Sequence, residues 1–456
     1  MKIFNTLSGK KENFVPIEEN KIKMYVCGMT VYDDTHIGHA RTFLSFDLIV
    51  RYLRSINYEV NYIRNITDVD DKIISRAEEL GITPKELTEK YIDSMHDDFQ
   101  SLGMIEPDAE PRATDNIDSI ISLIEILIQK GHAYEGDSDV YFSAESFNSY
   151  GKLSRRNLED MLAGARVDID TDKKNPADFV LWKKNTDGMK WDSPWGEGRP
   201  GWHIECSAMS MDALGETFDI HGGGSDLKFP HHENEIAQSE CVTGKEFAKL
   251  WMHTGSLRID QEKMSKSLKN FVTLKDALEK HSAEVLRLFL ISSHYRSPLN
   301  YSEGGLEEAK NSLDRLYNSL QDLIFEPKEY IQTEYSDKFH KAMQDDFNTP
   351  SALSVLFEMA RQINTLKKEN NSEEPSTLAK ELVTLSGILG LLQDNPVDHF
   401  TQGIAISEEE IEGYILRRNQ ARDEKDFDLS DKIRDELLEK GIILEDKESG
   451  TTWKKS

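Results

Sequence analysis

The sequence predicts an α/β fold of the Rossmann-like kind, interrupted by an insertion and followed by an all-α region and a small C-terminal α+β region. Three observations lead to this prediction. A strand, a helix and a second strand follow one another within residues 21–67. Strand and helix signals return after residue 201, and residues 274–393 have an almost wholly helical pattern.

The first strand–helix–strand unit starts with the apolar run IKMYVCG, which is typical of a buried strand. Residues 40–56 then carry apolar side chains at helical spacing, and residues 59–67 alternate like a second strand. Two strands joined by a helix imply a parallel sheet. Residues 71–103 predict helices broken at Gly81 and Pro84.

The amino-acid composition changes from about Pro107 to Gly201, where tryptophan, proline and glycine are frequent. We interpret this stretch as an insertion. A helix capped by Gly215, the strand TFDIH, three glycines and a helix from about His231 then restore the α/β pattern. Near the end, two charged helices and a short β tail make up the last predicted region.

The composition limits the possible classes of protein. The 456 residues carry a net charge of −28, which argues against non-specific nucleic-acid binding but leaves room for a local basic face. The N-terminus has no signal-peptide run, and the longest apolar stretch is too short to cross a bilayer. The three cysteines are an odd number and lie far apart, so we expect free thiols and a cytoplasmic protein.

The segment YVCGMTVYDDTHIGHAR places Cys27 at a strand end and His36 and His39 near a helix start. Ligands of open α/β sheets bind at such strand ends, and helix N-termini attract anions. Two imidazoles there could contact phosphates, and Gly38 lets a ligand approach the backbone. A polar helix start beside an ordinary buried cysteine explains this segment alone equally well.

Two further segments have the composition of nucleotide contacts. In DQEKMSKSLKN, Lys263 and Lys266 could bring ammonium groups onto a polyphosphate, although most such loops are solvated basic turns. In DIHGGGSD, bare backbone around Gly223 suits a flat base or ribose, and Asp226 could accept from ribose hydroxyls. A flexible turn is the alternative interpretation of this glycine run.

Four dispersed residues have the chemistry of a zinc site, namely Cys27, Cys206, His231 and Glu235. His231 and Glu235 are four residues apart, so both can point from one face of a helix. Spacing alone favours two buried cysteines and a surface His–Glu pair. Three rival ligands lie off the helical stripe: His232, Glu233 and Cys241.

HIGH at residues 36–39 and KMSKS at 263–267, on opposite sides of the insertion, resemble the signatures of class I aminoacyl-tRNA synthetases. The finer match is to the cysteinyl-tRNA synthetase family, and it covers essentially the whole chain. The matching segments include NITDVDDKI, AGARV, GRPGWHIECSAM, DIHGGGSDLKFPHHENEIAQSE, HYRSPLNYSE and DFDLSDKIRDELLEKGIILEDKESGTTWK.

The resemblance implies a Rossmann-like catalytic domain with an insertion, an all-α helical bundle and a small C-terminal α+β anticodon-binding region. The implied domains are two catalytic halves (1–106 and 201–255), a connective insertion (107–200), the KMSKS loop with a stem-contact region (256–300), the bundle (301–395) and the anticodon-binding region (400–456).

The resemblance also implies a cytoplasmic, monomeric enzyme that takes L-cysteine, ATP and tRNA(Cys), with no membrane partner. Its implied cofactors are one Zn²⁺ per chain, on the four residues above, and Mg²⁺ with ATP. The resemblance assigns catalysis to His36, His39, Lys263 and Lys266. It assigns ATP binding to Thr30, His36, Gly38, His39, Gly223, Asp226 and Lys266. It assigns amino-acid binding to Gly28, Thr67, Trp202 and His221.

The sequence departs from the family at Lys269, where glycine usually follows KMSKSL, and we expect retained activity with altered loop dynamics. Anticodon contact should rest on a local cluster such as Arg417, Arg418 and Arg422. Two other functions stay open from sequence: a ligase that joins cysteine to an amino-sugar, and a non-catalytic RNA-binding relative. The C-terminal tail argues against the first, and the intact motifs argue against the second.

Overall fold

A computed structural model describes residues 1–156, 172–184, 188–259, 262–263, 271–323, 332–369, 373–401, 408–447 and 450–455. Its centre is a parallel sheet of four strands: β1 (Lys21–Val26), β2 (Glu59–Arg64), β3 (Phe218–Gly224) and β4 (Ala248–Thr254). The spatial order is β4-β3-β1-β2. Met24 of β1 lies between Ile220 and Tyr62. The predicted Rossmann-like fold is therefore confirmed.

Strands β1 and β3 are neighbours although almost two hundred residues separate them in the chain. From β1 the chain continues to β2 on one side, and from β3 it continues to β4 on the other. Such a reversal opens a crevice beyond the carboxyl ends of the two central strands, where α/β proteins bind ligands.

Three helices cover the sheet: α1 (Ile37–Ser55), α2 (Trp202–Leu214) and α3 (His231–Thr243). Helix α1 begins before the predicted position because His36 caps it. The three glycines at 222–224, for which a turn was one interpretation, continue strand β3 instead. A Cβ at Gly222 would lie 2.3 Å from the Phe46 ring of α1, and one at Gly223 would lie 2.9 Å from His232 of α3. Glycine therefore lets two helices pack directly onto β3.

The region predicted as an insertion contains its own antiparallel sheet and a helix. The strands are Ala133–Glu135, Asp139–Phe142, Phe179–Lys184 and Gly198–Pro200, and the helix is Ile117–Gln129. Apolar side chains of this unit share a buried cluster with Ile204 and Ala208 of α2 and with Ala237 of α3. The insertion therefore packs against the two helices that follow it.

The remaining elements are short strands and a series of helices. The strands form a hairpin (Lys2–Asn5, Lys10–Asn13), a small mixed sheet (Leu257–Ile259, Glu262–Lys263, Leu299–Tyr301) and a C-terminal hairpin (Ile442–Lys447, Gly450–Lys455). The helices are Asp71–Leu80, Pro84–Ser101, Leu274–Lys280, Ala283–Ile291, Glu303–Leu320, Glu334–Met343, Thr349–Lys368, Glu373–Ile388, Pro396–Thr401, Glu408–Asp423 and Phe427–Glu439. Within the described ranges, no helix is long and apolar enough to span a bilayer.

One buried carboxylate, that of Asp346, joins three distant parts of the chain. It accepts hydrogen bonds from the Phe4 amide at 2.8 Å and the Tyr295 hydroxyl at 2.9 Å. Arg296 donates to its other oxygen at 2.8 Å. The N-terminal hairpin, the segment just before the last strand of the small mixed sheet and the helical region are thus held at one point.

Candidate active site

The crevice between β1 and β3 begins at Cys27, whose amide donates to the Gly222 carbonyl at 3.0 Å. The Gly28 amide donates to Asn65 Oδ1 at 2.8 Å. A Cβ at Gly28 would lie only 1.7 Å from the Asn65 carbonyl oxygen, so only glycine allows this approach. The loops that leave β1 and β2 are therefore joined at the mouth of the crevice.

His36 and His39 lie at the start of α1, beside this crevice. The Nδ1 atom of His36 accepts from the His39 amide at 3.1 Å, which caps the helix. A neutral His36 therefore carries its proton on Nε2. The two imidazole rings stack with centroids 3.5 Å apart. They lie at a helix N-terminus, where the backbone dipole favours anionic ligands.

The segment that follows KMSKS is hydrogen-bonded to the segment that precedes α1. The Ile37 amide donates to the Val272 carbonyl at 3.1 Å, and the Leu274 amide donates to the Thr35 carbonyl at 2.7 Å. The Phe271 ring packs edge-on against His36, with centroids 5.2 Å apart. The end of the predicted phosphate-binding loop is therefore anchored beside the two histidines.

The lysines of that loop are described only in part. Lys263 lies in a two-residue strand whose backbone pairs with Arg258 and Ile259. Lys266 and Lys269 lie outside the described residues. Their predicted contacts with ATP therefore stay predictions.

The structure brings together the four predicted zinc ligands, which come from β1, α2 and α3. One ligand atom from each of Cys27, Cys206, His231 and Glu235 lies within 4.8 Å of the others, and all four residues are buried. Glu235 Oε1 is 3.4 Å from Cys27 Sγ and 3.2 Å from His231 Nε2. We call these four residues the thiol cluster.

The thiol cluster has the chemistry of a zinc site. Burial is the main factor that raises the pKa of the Cys27 thiol, and Cys206 and Glu235 raise it further. Burial also lowers the pKa of His231 to about 3, which keeps the imidazole in the neutral form that binds metals. Two sulfurs, one nitrogen and one carboxylate oxygen match the donors and the number that zinc takes. The residues present therefore fit a zinc ion.

His221 lies behind the thiol cluster and not on an accessible surface. Its Nε2 is 2.8 Å from Glu235 Oε2, its ring stacks on Trp251 at 4.4 Å between centroids, and its side chain is fully buried. The predicted contact between His221 and the amino acid stays a prediction. Its position also suits a residue that orients Glu235.

The predicted rival ligands divide by position. His232 forms a second possible set with Cys27, His221 and Glu235, which contains a single sulfur. Glu233 accepts from the backbone amides of Gly151, Leu153 and Ser154 at 3.0, 3.3 and 2.7 Å, so its carboxylate serves the insertion. Cys241 packs in the cluster between insertion and helices, and burial raises its pKa to about 12.

A small cavity of about 240 Å³ opens beside the thiol cluster. Trp202 lies on its wall with its side chain 40% exposed, and its ring centroid is 4.5 Å from that of His231. Glu205 lies on the same wall but is buried. Burial raises the pKa of Glu205 well above its usual range, and Cys206, Asp70 and Asp68 raise it further, while the Thr67 hydroxyl opposes the shift. Glu205 was not among the residues predicted from sequence.

The other predicted ligand contacts lie at the same edge of the sheet. The backbones of Thr30 and Thr67 form a bridge, and the Val31 amide donates to the Thr67 carbonyl at 3.2 Å. Asp226 is exposed just beyond β3, and a Cβ at Gly224 would lie 2.4 Å from its Oδ1. These residues surround the crevice, as a nucleotide site requires.

The arginines proposed for anticodon contact are partly used inside the C-terminal region. Arg418 donates from both terminal nitrogens to the two oxygens of Asp446, at 2.8 and 2.9 Å, and Arg422 donates to the same carboxylate at 2.9 Å. Arg418 is also buried. It therefore joins its helix to the C-terminal hairpin instead of standing free in a basic cluster.

Comparisons with known proteins agree with this architecture. The family model for the tRNA synthetases class I (C) catalytic domain matches residues 13–311, and the DALR domain model matches residues 338–393. A Cysteine–tRNA ligase from Hahella chejuensis is 54% identical over 468 residues, with full coverage of both chains. A Cysteine–tRNA ligase from Haemophilus influenzae is 54% identical over 464 residues, also with full coverage of both.

Solved structures support the fold at lower identity. Methionyl-tRNA synthetase of Mycobacterium tuberculosis in complex with methionyl-adenylate aligns with a TM-score of 0.60 at 14% identity, covering 81% of this chain and 89% of that one. A putative arginyl-tRNA synthetase from Campylobacter jejuni aligns with a TM-score of 0.55 at 13% identity, covering 84% and 95%.

Proposed function

The chain belongs to the family of cysteine–tRNA ligases, and from this membership we propose that it activates L-cysteine with ATP and then charges tRNA(Cys). The first step gives cysteinyl-adenylate and pyrophosphate. The second transfers the cysteinyl group to the 3′-terminal adenosine of the tRNA. The observation that carries the proposal is the thiol cluster, which lies at the same strand ends as the His36–His39 helix start.

We propose zinc on Cys27, Cys206, His231 and Glu235, with Mg²⁺ accompanying ATP. The set with two sulfurs is preferred over the set with His221 and His232 because thiolates select zinc over harder ions. His231 has the surroundings of a ligand, since its Nδ1 faces His203 Nδ1 at 2.9 Å while its Nε2 faces the cluster.

A zinc ion at this place would bind the thiol of the incoming cysteine as thiolate. Serine offers a hydroxyl, which is a much poorer zinc ligand, and alanine offers no ligand at all. A site built around one such bond rejects both analogues by a large factor, so an editing step is unnecessary. Trp202, at the cavity rim beside His231, would cover the bound side chain.

The remaining residues would act by positioning and by charge. His36 and His39 at the start of α1 would contact the triphosphate, and Lys263 and Lys266 would approach it from the loop anchored at Phe271. In-line attack of the cysteine carboxylate on the α-phosphorus then needs no side-chain nucleophile, because alignment supplies most of the rate.

The amino-sugar ligase finds no support, because relatives named Cysteine–tRNA ligase match the chain from end to end. The non-catalytic alternative predicts no pyrophosphate exchange. We place the enzyme in the cytoplasm on two grounds, its tRNA substrate and its free thiols.

The decisive experiment measures metal content and cysteine-dependent ATP–pyrophosphate exchange on the purified full chain. Wild type should hold about one zinc per chain and exchange pyrophosphate with cysteine but not with serine. Cys206→Ala should lose both the zinc and the exchange. Cys241→Ala is the matched control, because its thiol is buried outside the cluster, and it should keep both. Active wild-type enzyme without metal, or equal use of serine, would refute the proposal.

A further inference from the structure

The Glu205 carboxylate is buried next to the thiol cluster, and within the described part of the chain the Thr67 hydroxyl is the one polar side chain that acts on it as a hydrogen-bond donor. Its side chain is 1% exposed. Among the described residues, neither of its oxygens takes part in a hydrogen bond of normal geometry. Burying a carboxylate without a partner is costly, so a group outside the protein chain is expected to satisfy it.

The cavity beside Glu205 leads to the candidate metal site. Its wall contains Trp202, His203 and Glu205, all on α2, and the Trp202 ring lies against His231 of the thiol cluster. Glu205 is also the residue directly before Cys206. A ligand that reaches the cluster through this cavity therefore passes the Glu205 carboxylate.

Of the other charged groups of the cavity, Arg199 is close enough to Glu205 for their charges to interact, but no hydrogen bond of normal geometry joins these two described side chains. Lys183 and Arg199 both form ion pairs with Asp71, at 2.5 Å in the case of Lys183. Asp70 adds a further carboxylate and caps the following helix by accepting from the Lys72 amide at 2.8 Å. The cavity next to Glu205 therefore favours a small cation over an anion.

We propose that the Glu205 carboxylate accepts the α-ammonium group of the bound cysteine. This inference rests on the proposed function, which places the cysteine sulfur at the thiol cluster. In cysteine the amino nitrogen is two carbons from the sulfur, roughly 3–4 Å away by ordinary bond lengths. Consecutive residues of α2 would then recognise the two ends of one small molecule, Cys206 through the metal site and Glu205 directly.

This contact would make Glu205 a specificity-determining residue. Thiols without an amino group, such as 3-mercaptopropionate, could reach the metal but would leave the Glu205 carboxylate buried and unpaired. Holding the ammonium group would also fix the rotation of cysteine about its Cα–Cβ bond.

The test compares two ligands on two proteins. Binding of L-cysteine and of 3-mercaptopropionate to the zinc-loaded full chain is measured by calorimetry, for wild type and Glu205→Gln. Glutamine keeps the shape and removes the charge. We expect the Kd for cysteine to rise about tenfold to a hundredfold in the variant, the usual range for a lost charged hydrogen bond. The Kd for 3-mercaptopropionate should change less than about threefold, and the zinc content should not change.

Asp70→Asn is the matched control, because it removes one negative charge from the same cavity while asparagine still caps the helix. It should change the Kd for cysteine by less than about threefold. If Glu205→Gln weakens both ligands equally, or weakens neither, the proposal is overturned. The second outcome is expected if the carboxyl is protonated, or if a water joins it to the remaining Nη1 of Arg199.

Two further measurements keep the test informative. Glu205→Asp retains the charge, so it serves if the glutamine variant does not fold; equal weakening of both ligands in that variant also overturns the proposal. Wild-type pyrophosphate exchange separates this inference from the proposed function. Normal exchange combined with identical behaviour of the two ligands overturns only the role of Glu205, whereas absent exchange overturns the function itself.

Discussion

The pair formed by Asp47 and Arg287 offers the sharpest stability test of how α1 is held in place. Both side chains are only 2% exposed, and Arg287 donates to the Asp47 carboxylate. Arg287 also donates to the Leu389 carbonyl at 2.7 Å and to the Leu102 carbonyl at 3.2 Å. Asp47 additionally accepts from the Ile105 amide at 2.8 Å. The pair therefore connects α1 to the helical region.

Asp47→Asn should destabilise the protein by about 3 kcal/mol. Removing one partner of a buried ion pair typically costs about 3–5 kcal/mol, because the other charge stays buried without compensation. The lower end applies because asparagine keeps an acceptor for the Ile105 amide. Arg51, the other cation at Asp47, is 23% exposed and can turn to solvent, so it adds little.

The assay is urea unfolding of the full chain, followed by fluorescence of the buried Trp182 and Trp251. Asp345→Asn is the control, since Asp345 and Lys11 form an exposed pair that should contribute less than about 1 kcal/mol. A folded Asp47→Asn variant within about 1 kcal/mol of wild type would refute the assignment of Arg287 as a cation that depends on this carboxylate.

Three other predictions follow from the packing and the charges. Gly222→Ala should lower the free energy of unfolding by about 1–3 kcal/mol, because its Cβ would lie 2.3 Å from an aromatic ring of α1. Gly304→Ala, with open space around its Cβ, is the control and should be neutral or stabilising in the same unfolding assay. His253 is buried with its pKa lowered from 6.5 to about 3, so the unfolded chain alone takes up its proton below pH 6.5. The free energy of unfolding should therefore fall as the pH decreases from 6.5 towards 3, by up to about 1.4 kcal/mol per pH unit for this residue. His253→Asn should reduce the slope of unfolding free energy against pH, and an unchanged slope would show that His253 is not the neutral buried group described. His221→Asn should weaken zinc binding about 10–100-fold in a chelator competition, because Glu235 loses the group that orients it, and unaltered affinity would remove His221 from that role.

Periodicity was enough to predict the α/β core, because the pattern that makes β1 and α1 is local and their apolar faces are broad. The identity of the fold and of the family is confirmed. The proposed domain boundaries stay predictions, as do the roles of the ATP contacts. Lys266, the residue on which much of the ATP prediction depends, lies outside the described residues.

The site was harder to predict, because its members come from segments far apart in the chain. Their spacing predicted that His231 and Glu235 lie on one face of a helix. It could not show that His221, from another segment, contacts Glu235. Glu205 was missed because an acidic residue in a helix usually faces solvent, whereas α2 is buried on all sides around this position. Its burial depends on distant segments that meet at α2, namely the loop after β2 with Thr67 and Asp68 and the cavity wall with Arg199.

The strand position of the β3 glycines and the ion pair of Arg418 could not be predicted for a related reason. Three consecutive glycines favour a turn by local propensity. In the structure they continue the strand, and the Phe46 and His232 side chains pack against them. Likewise, an arginine in a charged helix looks free for RNA until the C-terminal hairpin brings Asp446 to Arg418.

The Asp346 carboxylate has a consequence for biosynthesis. The acceptor of the Phe4 amide, the Asp346 carboxylate, lies 342 positions further along the chain and is therefore synthesised much later. At translation rates of about 5–20 residues per second, the ribosome needs on the order of 20–70 s to deliver it. During that interval the N-terminal hairpin is held only by contacts such as those of Asn5 and Thr6 with β4, so its start is more accessible to chaperones and proteases until the helical region emerges.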